Sequence, residues 1–389
     1  MNTPVCTAHM VHPPGRITQL DIARGIAVVL MVLGHSIDAV LAPAPRLTEV
    51  FGYYDVLRGL TAPLFLLLAG FAFTVSTVKH WDQHTRFGRP TVRRFVRAAL
   101  LLGVGYALHL PFLSFGKLLL TATPQDYARF LQADVLHCVA LSLAALQLSV
   151  LIARTPARHL HLSLALSVAI AAAAPLVWAI DLDGLFPRAV IPYLNQQYQT
   201  MFPLVPFTAY MVLGAALGHT YLQARDAGSE HLWYRRMMLV AGLLVGAGIA
   251  GSLLPLTVYP GHDYWKTNPG ILAIRAGSVM AVVIALLRFR HFPPRLAGVM
   301  MRLGQASLFV YVAHLILVYG SVVNPGLARV LGQDLSVPSA IAVAFGVLLA
   351  MMALSSAFGS LRSSYGVHLR IAQASAATLL IYLFFARPY

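Results

Sequence analysis

The chain has 389 residues, of which 58% are hydrophobic and only 11% charged, with a formal net charge of +15 and a mean hydropathy of +0.73. A soluble domain carries about a quarter of its residues as charges, so the composition excludes a soluble globular enzyme and defines a polytopic membrane protein. The positive charge sits at the ends of apolar runs rather than in one basic patch, which argues against nucleic-acid binding and for membrane orientation.

Residues 1–18 carry Pro4, Pro13 and Pro14 and no cleavable signal-peptide pattern, so they are expected to form a cytoplasmic tail. Residues 19–389 are then a single transmembrane domain. A helix needs about 20 mostly apolar residues to cross a ~30 Å hydrocarbon core. The spacing predicts an all-α protein of about eleven such spans, at 20–42, 58–78, 97–115, 134–153, 160–180, 201–222, 237–256, 270–288, 303–323, 338–358 and 367–386. Alternating runs of about ten residues, the β-barrel pattern, are absent, as are internal repeats of the transporter kind. The two cysteines, Cys6 and Cys138, suggest no disulfide framework.

Orientation follows from the arginines. The stretch 79–97 holds Lys79, Arg86, Arg89, Arg93, Arg94 and Arg97 against Asp82. Every second connection after it repeats the bias, at Arg154 and Arg158, at Arg225, Arg235 and Arg236, at Arg288, Arg290, Arg295 and Arg302, and at Arg362 and Arg370. The positive-inside rule puts these loops and the N-terminus in the cytoplasm. The longer connections at 116–133, 182–200 and 257–269 then face outward. Their aromatic, amide and charged side chains suit a sugar or another polar acceptor, or an interfacial aromatic belt.

Ionisable groups inside spans are costly, and mark function by default. Arg24 and His35 are eleven positions apart, so they share one face of the first span about 16 Å apart. An anion held at Arg24 lies one flexible arm from His35, which is the shape of an acyl-CoA. Asp38, one turn beyond His35, faces the same way and could orient the imidazole as a general-base partner. His109, Asp134, His137, Arg275 and His314 fall at comparable depth in other spans, and together these groups outline a polar cavity. No zinc spacing occurs, so no metal is expected, although facing histidines such as His35 with His109 or His314 could ligate a b-type haem.

"RITQLDIARGIAVVLMVLGH" resembles the opening of the membrane acyltransferases. Its Arg24–His35 spacing is similar to the acyltransferase-3 motif, as is "RFVR", Arg94 to Arg97, to that family's Arg-x-x-Arg element. "TAPLFLLLAGFAF", "ADVLHCVALSL", "FPLVPFTAYMVLGAALG" and "SLFVYVAHLILVY" resemble the heparan-α-glucosaminide N-acetyltransferase catalytic family and its bacterial relatives. The resemblance runs from residue 16 to about 320. It implies an acyl-CoA donor, acetyl-CoA foremost, and transfer to a hydroxyl or amine of an extracytoplasmic glycan or glycolipid, in a bacterial cytoplasmic (inner) membrane. It implies His35 as general base or acyl carrier, and Arg24, Arg94 and Arg97 as holders of the CoA phosphates or the pantetheine entrance. The residues themselves leave His109, Asp134, His137, Arg275 and His314 as acceptor or supporting groups. A proton-coupled transporter or flippase using the same cluster is the competing reading.

Overall fold

The computed structural model describes residues 17–253, 259, 263–289 and 291–387. Most of the expected N-terminal tail, including Cys6, and the loop residue Arg290 lie outside the described residues. In chain order the helices are α1 (Thr18–Val40), α2 (Glu49–Arg58), α3 (Thr61–Val78), α4 (Trp81–His84), α5 (Arg89–Leu108), α6 (Phe115–Thr121), α7 (Pro124–Leu131), α8 (Val135–Ala153) and α9 (Pro156–Ala179). They continue with α10 (Leu204–Asp226), α11 (Glu230–Leu253), α12 (Tyr264–Thr267), α13 (Pro269–Arg288), α14 (Pro294–Gln305), α15 (Ser307–Tyr319), α16 (Gly326–Leu331) and α17 (Val337–Ala386). Among the described residues there is no strand, only isolated bridges. Lipid offers no partner to bare backbone groups, so helices are the available solution for an apolar chain.

Helix starts follow local chemistry. Thr155 caps α9 with Pro156 in its first turn, and Asn268 caps α13 ahead of Pro269. Both place a hydroxyl or amide oxygen on the free N–H groups, where proline loses no hydrogen bond. Asp134 caps α8, and His137 returns a ring nitrogen to the Asp134 backbone N–H.

Seven helical segments among the described residues are long and apolar enough to cross a membrane, or eight if α14 and α15, bent by 79°, form one broken span. The chain is thus an all-helical integral membrane protein. Four expected spans differ in detail. The third is shifted: α5 begins at Arg89 and stops at Leu108, because Pro111 and the Ser114 cap of α6 interrupt the run before residue 115. The ninth is bent between α14 and α15, at Ala306. The last two lie along one helical run, α17, which is kinked between them at Tyr365, where φ is −131° and ψ is 35°. Just before that kink Ser360 and Ser363 bond back to the carbonyls of Ser356 and Ser360, a pattern that bends helices.

The core forms three apolar clusters. One packs Leu67, Leu68 and Phe71 of α3 against Val283 and Ile284 of α13, and a second packs Val28 and Val32 of α1 against Val310 of α15. The third joins Leu66, Leu146, Val150 and Met211 across α3, α8 and α10. The α3–α10 crossing is close because both helices carry glycine at the contact. A Cβ on Gly70 would collide with the Met211 carbonyl, and one on Gly214 with the Leu67 carbonyl. Small residues let backbones approach where lipid supplies no hydrophobic drive.

A polar knot closes the end of the bundle where α3 finishes. Arg94 Nη1 donates to Thr77 Oγ1 and to Gln147 Oε1, each at 2.9 Å, and its guanidinium lies 4.7 Å above the Phe73 ring. Gln147 in turn donates to the His84 carbonyl at 3.0 Å. Beside it the buried histidines His159 and His219 meet at 2.8 Å, with Ser149 2.9 Å from His159.

Two outcomes are expected. Gly214→Val forces α3 and α10 apart at a cost of about 1–3 kcal/mol, read as a lower thermal midpoint in detergent. His84, in the α3–α5 connection, is held down to about 4 by burial, then by Arg94 and His80. An unfolded histidine titrates near 6.5, so between these values the unfolded chain binds more protons and stability falls as the pH drops from about 6.5 to 4. The melting temperature therefore decreases across that window, and the decrease is shallower in His84→Gln.

Candidate functional site

The opposite end of the bundle gathers the groups singled out in the sequence. α1 carries His35 and Asp38 to this end, α15 carries His314, and α8 starts here with Asp134 and His137. His35 Nδ1 and His314 Nε2 lie 2.9 Å apart, with the rings stacked at 5.2 Å between centroids. His314 is fully buried, and its Nδ1 is 2.9 Å from the Val310 carbonyl one turn back.

These contacts assign the protons. A carbonyl only accepts, so His314 Nδ1 carries hydrogen and its Nε2 is a lone pair in the neutral ring. That lone pair takes the Nδ1–H of His35, which leaves His35 Nε2 unprotonated. A neutral imidazole with one nitrogen anchored and the other free is the form a general base or nucleophile needs. The Tyr319 hydroxyl donates to the His35 carbonyl at 3.3 Å, and its ring meets the imidazole edge-on at 5.9 Å.

A carboxylate backs this pair. Asp134 Oδ2 accepts from the Tyr311 hydroxyl at 2.5 Å, and Oδ1 accepts from Val135 N at 2.6 Å. Its negative charge bears on both His35 and His314. A positive charge arriving on the histidine pair thus has a fixed partner in a place where an unpaired ion is costly.

Asp38 does not touch the imidazole. Its Oδ2 pairs with Arg58 at the end of α2, and its backbone carbonyl accepts from Arg46 Nη2 at 2.7 Å. The part expected of Asp38, holding the His35 ring, falls instead to His314. His137 accepts the Asp134 N–H at Nδ1, 3.2 Å away, and its ring covers Gly105, where a Cβ would lie 2.6 Å from the imidazole. His109 ends α5, 6.0 Å from the His137 ring, with Nδ1 3.0 Å from the Gly105 carbonyl. Arg275 reaches this end from α13, beside Gly59 and Tyr210.

The three arginines expected to hold the donor lie toward the other end. Arg24 is 3.6 Å from Asp21 with a side chain 29% exposed, and Arg97 is exposed. The Arg94 head is engaged by Thr77, Ser76 and Gln147. Among the described residues no three His, Cys, Asp or Glu side chains converge as metal ligands. A haem iron between His35 and His314 is ruled out in this arrangement, because the two nitrogens are already at hydrogen-bond distance.

Sequence reasoning missed Arg46, Tyr54, Arg58, Tyr311 and Tyr319. Two signals were present. Arg46 and Arg58 stand in a connection that should be poor in positive charge, and Tyr311 precedes His314 by three positions, on the same helix face.

Long apolar helices around a histidine pair, one ring buried and one half-buried, with a carboxylate behind it define an integral membrane protein with a reactive polar site inside its bundle. A family model described as heparan-alpha-glucosaminide N-acetyltransferase, catalytic, matches residues 16–250. The chain belongs to that family, which makes it an acetyltransferase. None of the curated proteins matches it.

Removing one hydroxyl tests the carboxylate's setting. Tyr311→Phe leaves Asp134 Oδ2 without its donor, a loss of about 1–3 kcal/mol, measured as a drop in thermal midpoint that Tyr319→Phe does not reproduce in full.

Proposed function

We propose that this protein transfers an acetyl group from cytoplasmic acetyl-CoA to a hydroxyl or amine of an extracytoplasmic glycan or glycolipid. The observation that carries the reading is the His35–His314 contact, which leaves His35 Nε2 free. Family membership supports the donor chemistry and the carbohydrate class of acceptor.

His35 Nε2 takes the proton of the acceptor as its oxygen or nitrogen attacks the thioester carbonyl. The CoA thiolate leaves, and the imidazolium returns the proton to sulfur. While the imidazole is charged, Asp134 and the Tyr311 hydroxyl offset it. If the imidazole instead carries the acetyl group between donor and acceptor, the same nitrogen is the nucleophile and the same neighbours serve. Arg24 and Arg97 hold the CoA phosphates as charge-assisted partners, and Arg94, braced by Thr77 and Gln147, frames the pantetheine entrance. The rise of α1 separates Arg24 from His35 by about 16 Å, the reach of an extended pantetheine arm.

This path needs the N-terminus in the cytoplasm, as the arginine-rich loops suggest. Eleven spans require α17 to turn back at its Tyr365 kink, at the cytoplasmic surface between Arg362 and Arg370. A bacterial inner membrane suits the acceptor side proposed.

His35→Ala is expected to lower acetyl transfer by about 10²–10⁴-fold, the range of a general base, with acetyl-CoA binding retained in calorimetry on detergent-purified protein. Full activity in that variant would sink the mechanism. Proton-coupled flux of substrate into liposomes lacking any thioester would favour the transporter reading instead.

A further inference from the structure

Buried polar atoms at the His35 end without a hydrogen-bond partner include Ser36 Oγ and His137 Nε2, and two more, Asp38 Oδ1 and the Tyr54 hydroxyl. Buried polar atoms are nearly always satisfied, and each exception calls for an explanation. These two belong to one place. The Arg58 side chain runs along Gly34, where a Cβ would lie 3.5 Å from Arg58 Cγ and 3.8 Å from the Tyr54 hydroxyl. Its guanidinium ends on Asp38, one helical turn further along α1. The unsatisfied atoms therefore flank one arginine, on the same edge of α1 as the reactive imidazole.

The charges there are already matched. Arg58 is shared between Asp38 and Asp55, the latter at 2.5 Å. Arg46 is engaged by the carbonyls of Asp38 and Leu41 at 2.7 and 3.0 Å and stands 5.7 Å over the Phe51 ring. With Arg275 beside Gly59 and Asp134 behind the histidine pair, three arginines stand against three aspartates, which leaves no net charge to attract an anionic sugar. What the place offers is one carboxylate acceptor and one phenol, the complement of neighbouring hydroxyl groups.

We propose that Asp38, Tyr54 and Arg58 form the acceptor subsite, and that it takes an uncharged sugar by two of its hydroxyls. This rests on the acetyltransferase reading above and adds the class of acceptor to it. Asp38 Oδ1 accepts from one hydroxyl, the Tyr54 phenol bonds its neighbour, and a third hydroxyl of the ring is presented to His35. Asp38 is then a binding group for the sugar rather than a partner of the imidazole. A site built to hydrogen-bond a hydroxyl rejects analogues that lack it, because its own polar atoms are left unpaired.

The test uses the full chain in lipid nanodiscs with radiolabelled acetyl-CoA and three acceptors: methyl β-glucoside, methyl β-glucuronide and glucosamine. The neutral glucoside is expected to be acetylated in preference to the other two. Tyr54→Phe is expected to raise the glucoside KM about tenfold, the value of one hydrogen bond, with the KM for acetyl-CoA unchanged. Monodeoxy glucosides give a second measurement that needs no variant. One of them should show the same rise with the wild-type protein and no additional rise with Tyr54→Phe. Preference for the glucuronide or glucosamine, an unaltered glucoside KM in Tyr54→Phe, or acetyl-CoA binding without use of the glucoside would overturn the subsite alone. Failure to bind acetyl-CoA in calorimetry would overturn the transferase reading beneath it.

Discussion

A charge in hydrocarbon must find a partner inside the protein, and the arrangement of this bundle follows from that constraint. An isolated imidazole at the level of His35 would be held neutral by its surroundings and aimed nowhere in particular. Pairing it with His314, whose other nitrogen is tied to the Val310 carbonyl, fixes the tautomer without introducing a charge. Asp134 then supplies negative charge nearby, and its own burial is tolerated because Tyr311 and the start of α8 donate to it. Each polar group is admitted to the bundle by the next.

The same logic runs at the other end, with a different result. Arg94, Thr77, Gln147 and the His159–His219 pair close on one another with short hydrogen bonds. There most polar groups bond one another and lock α3, α5, α8, α9 and α10 together, while the buried His84 Nδ1 keeps no partner. At the His35 end the account does not close: Asp38 and Tyr54 keep unpaired atoms beside a half-buried imidazole. Between the two ends lie apolar clusters and glycine-mediated crossings, which hold the ends at a fixed separation.

Much of this was legible in advance because its causes are local. A run of some twenty apolar residues is a helix in lipid whatever it packs against, so the α1, α3, α8, α9, α11 and α13 spans could be read directly. The eleven-residue step from Arg24 to His35 follows from helix geometry alone. Less legible were features set by a few residues acting against a strong background. The break between α14 and α15 hangs on Ala306, and the kink that divides α17 falls on Tyr365, just after serines that bond back into their own helix. His109, His137 and Arg275 were expected at one level. The structure brings His137 beside His109, and sets Arg275 next to Tyr210 and Gly59.

The sequence by itself determined that the chain is a helical membrane protein, that its positive charge lies in alternate connections, and that histidines and a carboxylate enter spans where they need a reason to be. Hydropathy and charge asymmetry are sums over many residues, so no single contact alters them. Tertiary structure alone decided which ionisable group meets which. Asp38 is three residues from His35 and bonds Arg58 instead, while His314, 279 positions away, holds the ring. Such pairings depend on the rotation and depth of separate helices to within about an ångström, and helical periodicity carries no information on how one helix is set against another.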